Sequence, residues 1–288
     1  MGAWLRNNWI SITTVFVLAL AWEIGGHLAP TSPLREAPIV PPWEYVFGPA
    51  LIGMSDYWKI QLFAPVPELG GARTYFGALL AMGYHSALTL FRVSAGLALG
   101  ALIGVGLGLV ISVSEVTRRM VATPLHIIRM CPLLAMIPLF QFWLGATNWS
   151  AICYVAYGVG VVYFVGTLNA VANMPRHYIE TAQTLGASQL LIYWRVILPA
   201  IMPELFSSVF LTLGLAWSAV IGAEYVGVES GIGRMIIWAE FFSHTGRMVL
   251  VTIFIMLYST LSWVVMRSIA MRILAWMPKA HGQINPLS

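Results

Sequence analysis

Residues 176–199 read RHYIETAQTLGASQLLIYWRVILP. Ile179, Ala182 and Leu185 fall at helical spacing on one face, and Gly186 interrupts that helix. A second helical stretch, 189–194, runs into Pro199. A short helix, a glycine bend and another short helix make a compact knob. Its small residues, Ala182, Gly186 and Ala187, permit close approach of another surface. On either side lie long apolar runs, 149–172 and 201–226, so the setting of the knob depends on what those runs are.

They are two of six. The others are 9–28, 87–113, 120–144 and 248–275, and each covers a hydrocarbon core of roughly 30 Å at about 1.5 Å rise per residue. The whole chain agrees: 288 residues, 59% hydrophobic and 9% charged, with mean hydropathy +0.81. A soluble domain carries about 25% charged residues to wet its surface. This composition excludes a cytosolic enzyme, a nucleic-acid-binding module and a disordered tail. The runs are continuous rather than alternating, which excludes a transmembrane barrel. The expected fold is an all-α polytopic membrane bundle of six transmembrane helices. Cys131 and Cys153 fall inside apolar runs without metal-ligand spacing and read as small core residues.

Orientation follows from the basic residues. With the N-terminus inside, Arg6, Arg118, Arg119, Arg176, Arg195, Arg267, Arg272 and Lys279 are cytoplasmic, against Arg35, Lys59, Arg73, Arg234 and Arg247 outside. Both termini and the knob are therefore expected in the cytoplasm. The chain divides into a first helix (1–29), an external or interfacial connection (30–84), a core of five helices with the knob (85–276) and a C-terminal tail (277–288). Arg6 ahead of a run ending in Ala19, Leu20 and Ala21 also admits a cleaved secretory signal. The connection is broken by Pro30, Pro33, Pro38, Pro41, Pro42, Pro65 and Pro67 and cannot be one helix. Its apolar pieces, 45–54 and 75–82, are too short to span and read as interfacial or re-entrant. Trp43, Tyr45, Tyr57, Trp58 and Tyr75 suit a headgroup belt.

The knob resembles the signature loop of the permease subunits of ATP-binding-cassette importers. Glu180, Thr181 and Ala182 occupy its first triplet, and Gly186 follows after three residues. Val196, Ile197, Leu198 and Pro199 follow after nine more, with Thr181 standing for alanine and Val196 for isoleucine. Further pieces resemble the branch for nitrate, aliphatic sulfonates, taurine and bicarbonate: Val40-Pro41-Pro42; Ser86, Thr89, Arg92 and Gly96; Arg129, Pro132, Ala135 and Pro138; Trp217 with Ala223-Glu224; and Gly231-Ile232-Gly233. The resemblance implies a type I importer permease fold in the bacterial inner membrane. It also implies that Glu180, Thr181, Ala182, Gly186, Leu198 and Pro199 form the coupling helix that docks on an ATPase. The implied partners are ABC ATPase subunits, a periplasmic or lipoprotein solute-binding protein, a second permease copy in a homodimer, and membrane lipids.

No Gly-rich phosphate loop with Lys-Ser/Thr occurs, so hydrolysis belongs on another polypeptide, and no cofactor or metal is expected on this chain. No catalytic constellation emerges either. Charges inside spans are expensive and each is a functional hypothesis. Arg129, about nine residues into the third span, is either a pathway cation or a structural cap on carbonyls freed by Pro132 and Pro138. Arg92 and Glu224 lie at similar depth and are candidates for a structural or gating ion pair, and Trp217 for the pathway. Glu23, Glu204, His85 and His126 sit near span ends, where capping or snorkelling accounts for them. The rival reading, a self-sufficient secondary transporter or channel, predicts two repeated halves with discontinuous spans, and no convincing repeat is found.

Overall fold

The computed structural model describes residues 2–30, 38–61 and 63–276. Arg35 and Pro33, and the tail 277–288 with Lys279, lie outside the described residues. Nine helices of nine residues or more are described: α1 (Gly2–Leu28), α2 (Tyr75–Ser112), α3 (Glu115–Met130), α4 (Leu133–Leu144), α5 (Asn148–Asn173), α6 (Arg176–Thr184), α7 (Gln189–Val226), α8 (Ile232–Phe241) and α9 (Thr245–Ile273). The five helices α1, α2, α5, α7 and α9 are long and apolar enough to cross a membrane.

The third expected span is two helices. Pro132 disfavours helical backbone at the residue before it, and Cys131 is extended at φ −65°, ψ 125°. The chain therefore breaks there, leaving α3, which is polar along one face, and α4, twelve apolar residues of about 18 Å. Pro138, by contrast, sits inside α4. Cys131 at the break is exposed and Cys153 half-buried, so neither is a core residue.

Two other expectations change. Residues 75–82 are not re-entrant but open α2, whose 38 residues extend about 57 Å. No proline interrupts the chain between Pro67 and Pro124, so the helix continues through the expected boundary at 84. At the fifth span, Pro199 does not start a new helix. A turn of wider, π-type winding over Tyr193–Ile197 absorbs the missing N–H, and α7 runs on from the knob. Val46–Ala50 does the same around Pro49.

The chain forms two compact units. The first holds residues 1–91 and 221–256. Here α1 is tied to the stretch after it: Trp22 Nε1 donates to Pro41 O, Trp43 N to Glu23 at 2.8 Å and Trp43 Nε1 to Ala19 O. Glu23 is thus a capping acceptor, as expected. Trp58 is buried and Tyr57 donates to Met235 O, so these two aromatics pack inward rather than forming a belt.

The second unit holds residues 92–220 and 257–288. Gly96, Gly100, Gly104 and Gly108 make a stripe along α2 with α5 directly against it. A Cβ on Gly96 would stand 2.6 Å from Val155 Cβ, on Gly100 2.7 Å from Ala156 O, and on Gly108 2.6 Å from Thr167 Cβ. In lipid, close backbone approach through small residues holds helices together, because there is no water to drive apolar association. Tyr154 OH donates to Leu133 O at 2.8 Å and secures α4 on α5.

Candidate functional site

The knob closes by a hydrogen-bonded turn that only a left-handed residue completes. Gly186 has φ +76°; its N–H donates to Gln183 O at 2.9 Å, and Ala187 N–H reaches back to Ala182 O at 3.0 Å. These two bonds cap α6 in a Schellman motif. Ser188 then caps α7, its hydroxyl accepting from Leu191 N–H. No residue of α6 is buried. Leu185 is 82% and Leu190 70% exposed, an unusual display of leucine on a polar turn. Glu180 and Thr181 are exposed beside them, and Ala182, Leu198 and Pro199 half-buried. The six residues of the motif therefore lie along one helix-turn-helix.

A second constellation lies in the first unit, where α2, the end of α7 and the start of α8 meet. Glu224 is fully buried. Its carboxylate accepts from Thr89 Oγ1 at 2.9 Å and from Gly233 N–H at 2.9 Å. Thr89 Oγ1 accepts in turn from Ile232 N–H at 2.9 Å. Gly231 N–H donates to His85 Nδ1 at 2.9 Å, which leaves Nε2 to face Tyr57 O at 3.3 Å. The neutral Nε2–H tautomer satisfies both contacts. His85 is thus a buried connector of α8, not a snorkelling end group. The first amides of α8, which have no partner within the helix, are taken up by side chains, and the negative carboxylate lies at the positive end of the helix dipole.

This cradle explains the Gly-Ile-Gly triplet. Gly231 has φ +109° and ψ 171°, and a Cβ there would lie within the Glu224 carboxylate. On Gly233 a Cβ would stand 2.6 Å from Ile221 O.

Three further expected residues are Arg92, Trp217 and Arg129. Arg92 is fully buried, and its Nε and a terminal nitrogen donate to Asn148 Oδ1 at 2.9 and 2.6 Å, at the first turn of α5. Trp217 is buried, with its indole N–H unpartnered among the described residues. Arg129 is exposed in the last turn of α3, two residues before the break at Cys131.

Sequence reasoning missed an ion cluster. Asp56 accepts from Arg73 Nε through one oxygen and from Arg247 through the other, both at 2.8 Å. Arg247 stacks over the Tyr57 ring at 6.0 Å. Beside it, burial and then the Arg247 charge hold the His244 imidazole below its usual 6.5, with Asp56 opposing. Protonation is thus harder in the folded protein, so His244 costs stability as pH falls below about 6.5 and nothing above it. His244→Gln should flatten that acid side of the stability curve, measured as melting temperature against pH; an unchanged slope would remove His244 from the titration.

The comparisons follow the same lines. Residues 96–275 match the family model described as binding-protein-dependent transport system inner membrane component. The chain is 31% identical over 248 residues to a putative aliphatic sulfonates transport permease protein, SsuC, of Escherichia coli, covering 84% of this chain and 94% of that one. It is 26% identical to the E. coli taurine transport system permease protein TauC, covering 97% and 92%. Its fold is similar to a chain of the inward-facing MetNI methionine ABC transporter at a TM-score of 0.58, with 20% identity, covering 68% of this chain and 97% of that one. The knob, the apolar helices and the family match converge: the chain belongs to the family of binding-protein-dependent transport system inner membrane components and is a multi-pass type I permease subunit of an ABC importer.

Proposed function

We propose that this permease imports a small organic oxyanion of the sulfonate type, using ATP hydrolysed on a separate ATPase subunit that grips α6 and the Gly186 turn. Solute arrives from a solute-binding protein, two copies of the permease form the pathway in the inner membrane, and both termini face the cytoplasm with the knob. The observation that carries this reading is the knob itself. It is a capped, preformed helix-turn-helix that exposes Leu185 and Leu190 beside Glu180, a surface that gains by being covered. The sulfonate class is supported by the E. coli relatives and by the basic character of the chain, net +4.

The test is co-expression with a candidate ABC ATPase subunit. Gly186→Val forces a β-branched residue to φ +76°, at a cost of about 1–2 kcal/mol to the turn. Leu185→Glu leaves the turn intact and places charge on the exposed apolar tip. Both variants should reduce ATPase co-purification and separate hydrolysis from uptake in reconstituted vesicles by at least about tenfold, which is roughly 1.4 kcal/mol of docking energy. Full coupling in both would place the ATPase contact elsewhere. Uptake of labelled ethanesulfonate, competed by nitrate and by a neutral alcohol, tests the solute class.

A further inference from the structure

Four of the five basic residues that count as external in the sequence, Lys59, Arg73, Arg234 and Arg247, line one cavity of about 400 Å³ in the first unit. A second cavity of about 430 Å³ shares Tyr57, Lys59, His85, Glu229, Arg234 and Trp238 with it. Each is in the size range of small-molecule sites, with aromatic walls and a few polar groups.

The charges sort into satisfied and unsatisfied. Asp56 is saturated by Arg73 and Arg247. Lys59 and Glu68 face each other at 3.9 Å on the rim, both largely exposed. Arg234 and Glu229 remain. Both line both cavities, yet neither has an ion-pair partner among the described residues, and they do not pair with each other. Arg234 lies over the Trp238 ring at 5.2 Å, and Glu229 is exposed. Two buried polar atoms beside them also lack a hydrogen-bond partner among the described residues: Trp58 Nε1 in the second cavity and His244 Nδ1 in the first.

An unpaired cation and an unpaired carboxylate held apart in joined cavities suit a ligand that carries both opposite charges. We propose that the permease itself binds a small zwitterion here. Arg234 and the Trp58 indole N–H take its oxyanion, Glu229 takes its ammonium, and Trp238 covers the short apolar linker. The oxyanion half rests on the solute class proposed above; the ammonium half comes from the position of Glu229 in both cavities. A phosphatidylethanolamine headgroup shares this chemistry, so the lipid is the competing source.

The test uses the permease with its ATPase subunits in nanodiscs of phosphatidylglycerol alone, titrated by calorimetry with 2-aminoethanesulfonate, ethanesulfonate and ethylammonium. The zwitterion should bind at least about tenfold more tightly than either single-charge probe. Glu229→Gln should bring 2-aminoethanesulfonate down to the affinity of ethanesulfonate and leave ethanesulfonate unchanged. Arg234→Gln should weaken both sulfonates about tenfold. Both positions are partly or fully exposed, so folding is retained. Equal affinity for the three probes, or unchanged binding in both variants, overturns the proposal. Loss of binding-protein stimulation with solute binding intact also overturns it, making the charges a protein contact. Adding phosphatidylethanolamine distinguishes the source: binding unaffected by it supports a free solute, and retention of that lipid in place of the probe assigns the cavity to a headgroup and overturns the solute site. Uptake that requires the binding protein, with no direct binding here, leaves the transport reading standing and removes only this site.

Discussion

Replacing Gly231 with alanine is expected to cost the permease on the order of 3 kcal/mol or more and to lower its melting temperature in detergent sharply. Two independent terms contribute. At φ +109° and ψ 171° the backbone lies in a region open essentially to glycine alone, at roughly 1–3 kcal/mol for any other residue. The added methyl also lands in the Glu224 carboxylate. A flexible carboxylate would ordinarily swing aside, but this one is fully buried and held by Thr89 and the Gly233 N–H, so moving it breaks bonds that nothing else replaces. A double-mutant cycle separates the terms. In a Glu224→Ala background the clash is gone, so adding Gly231→Ala should cost only the backbone part. If the penalty is the same in both backgrounds, the cradle is not what excludes a side chain at 231.

Glu224 was legible as a buried charge and Gly231 as part of a resemblance, but their connection was not, because it is the path of the six residues between them, the end of α7 and the loop after it, that brings them together. Hydropathy found the spanning segments because apolar length is a local property. It could not see the break at Cys131, since composition does not report backbone direction, nor the wider turn that carries α7 past Pro199. The glycine stripe at 96, 100, 104 and 108 was within reach as small residues at every fourth position, a helix-contact signal in lipid. The external basic residues show the opposite limit. Counted along the chain, Lys59, Arg73, Arg234 and Arg247 bear on orientation; folded, they line one cavity, which no periodicity reports.

Removing the Asp56 carboxylate should be the other large effect, and its size depends on which arginine is left behind. Arg247 is nearly buried, with 9% of its side chain exposed, and its guanidinium occupies the space a Cβ on Gly53 would need. Asp56→Ala leaves that guanidinium unpaired in a site it cannot leave. Breaking a buried pair costs about 3–5 kcal/mol, and the 24% exposure of Asp56 brings the expectation down to about 2–4 kcal/mol. Arg73 is 58% exposed, so Arg73→Ala should cost less than about 1 kcal/mol although it breaks a bond of the same length to the same carboxylate. Asp56→Ala with Arg247→Met should recover much of the loss, because the stranded charge goes with its partner and a methionine fills the space. Chemical or thermal unfolding of the three variants beside the parent protein decides the matter. Equal losses from Asp56→Ala and Arg73→Ala would mean that solvent reaches Arg247, and the tie between residues 54–57 and α9 would then rest on packing alone.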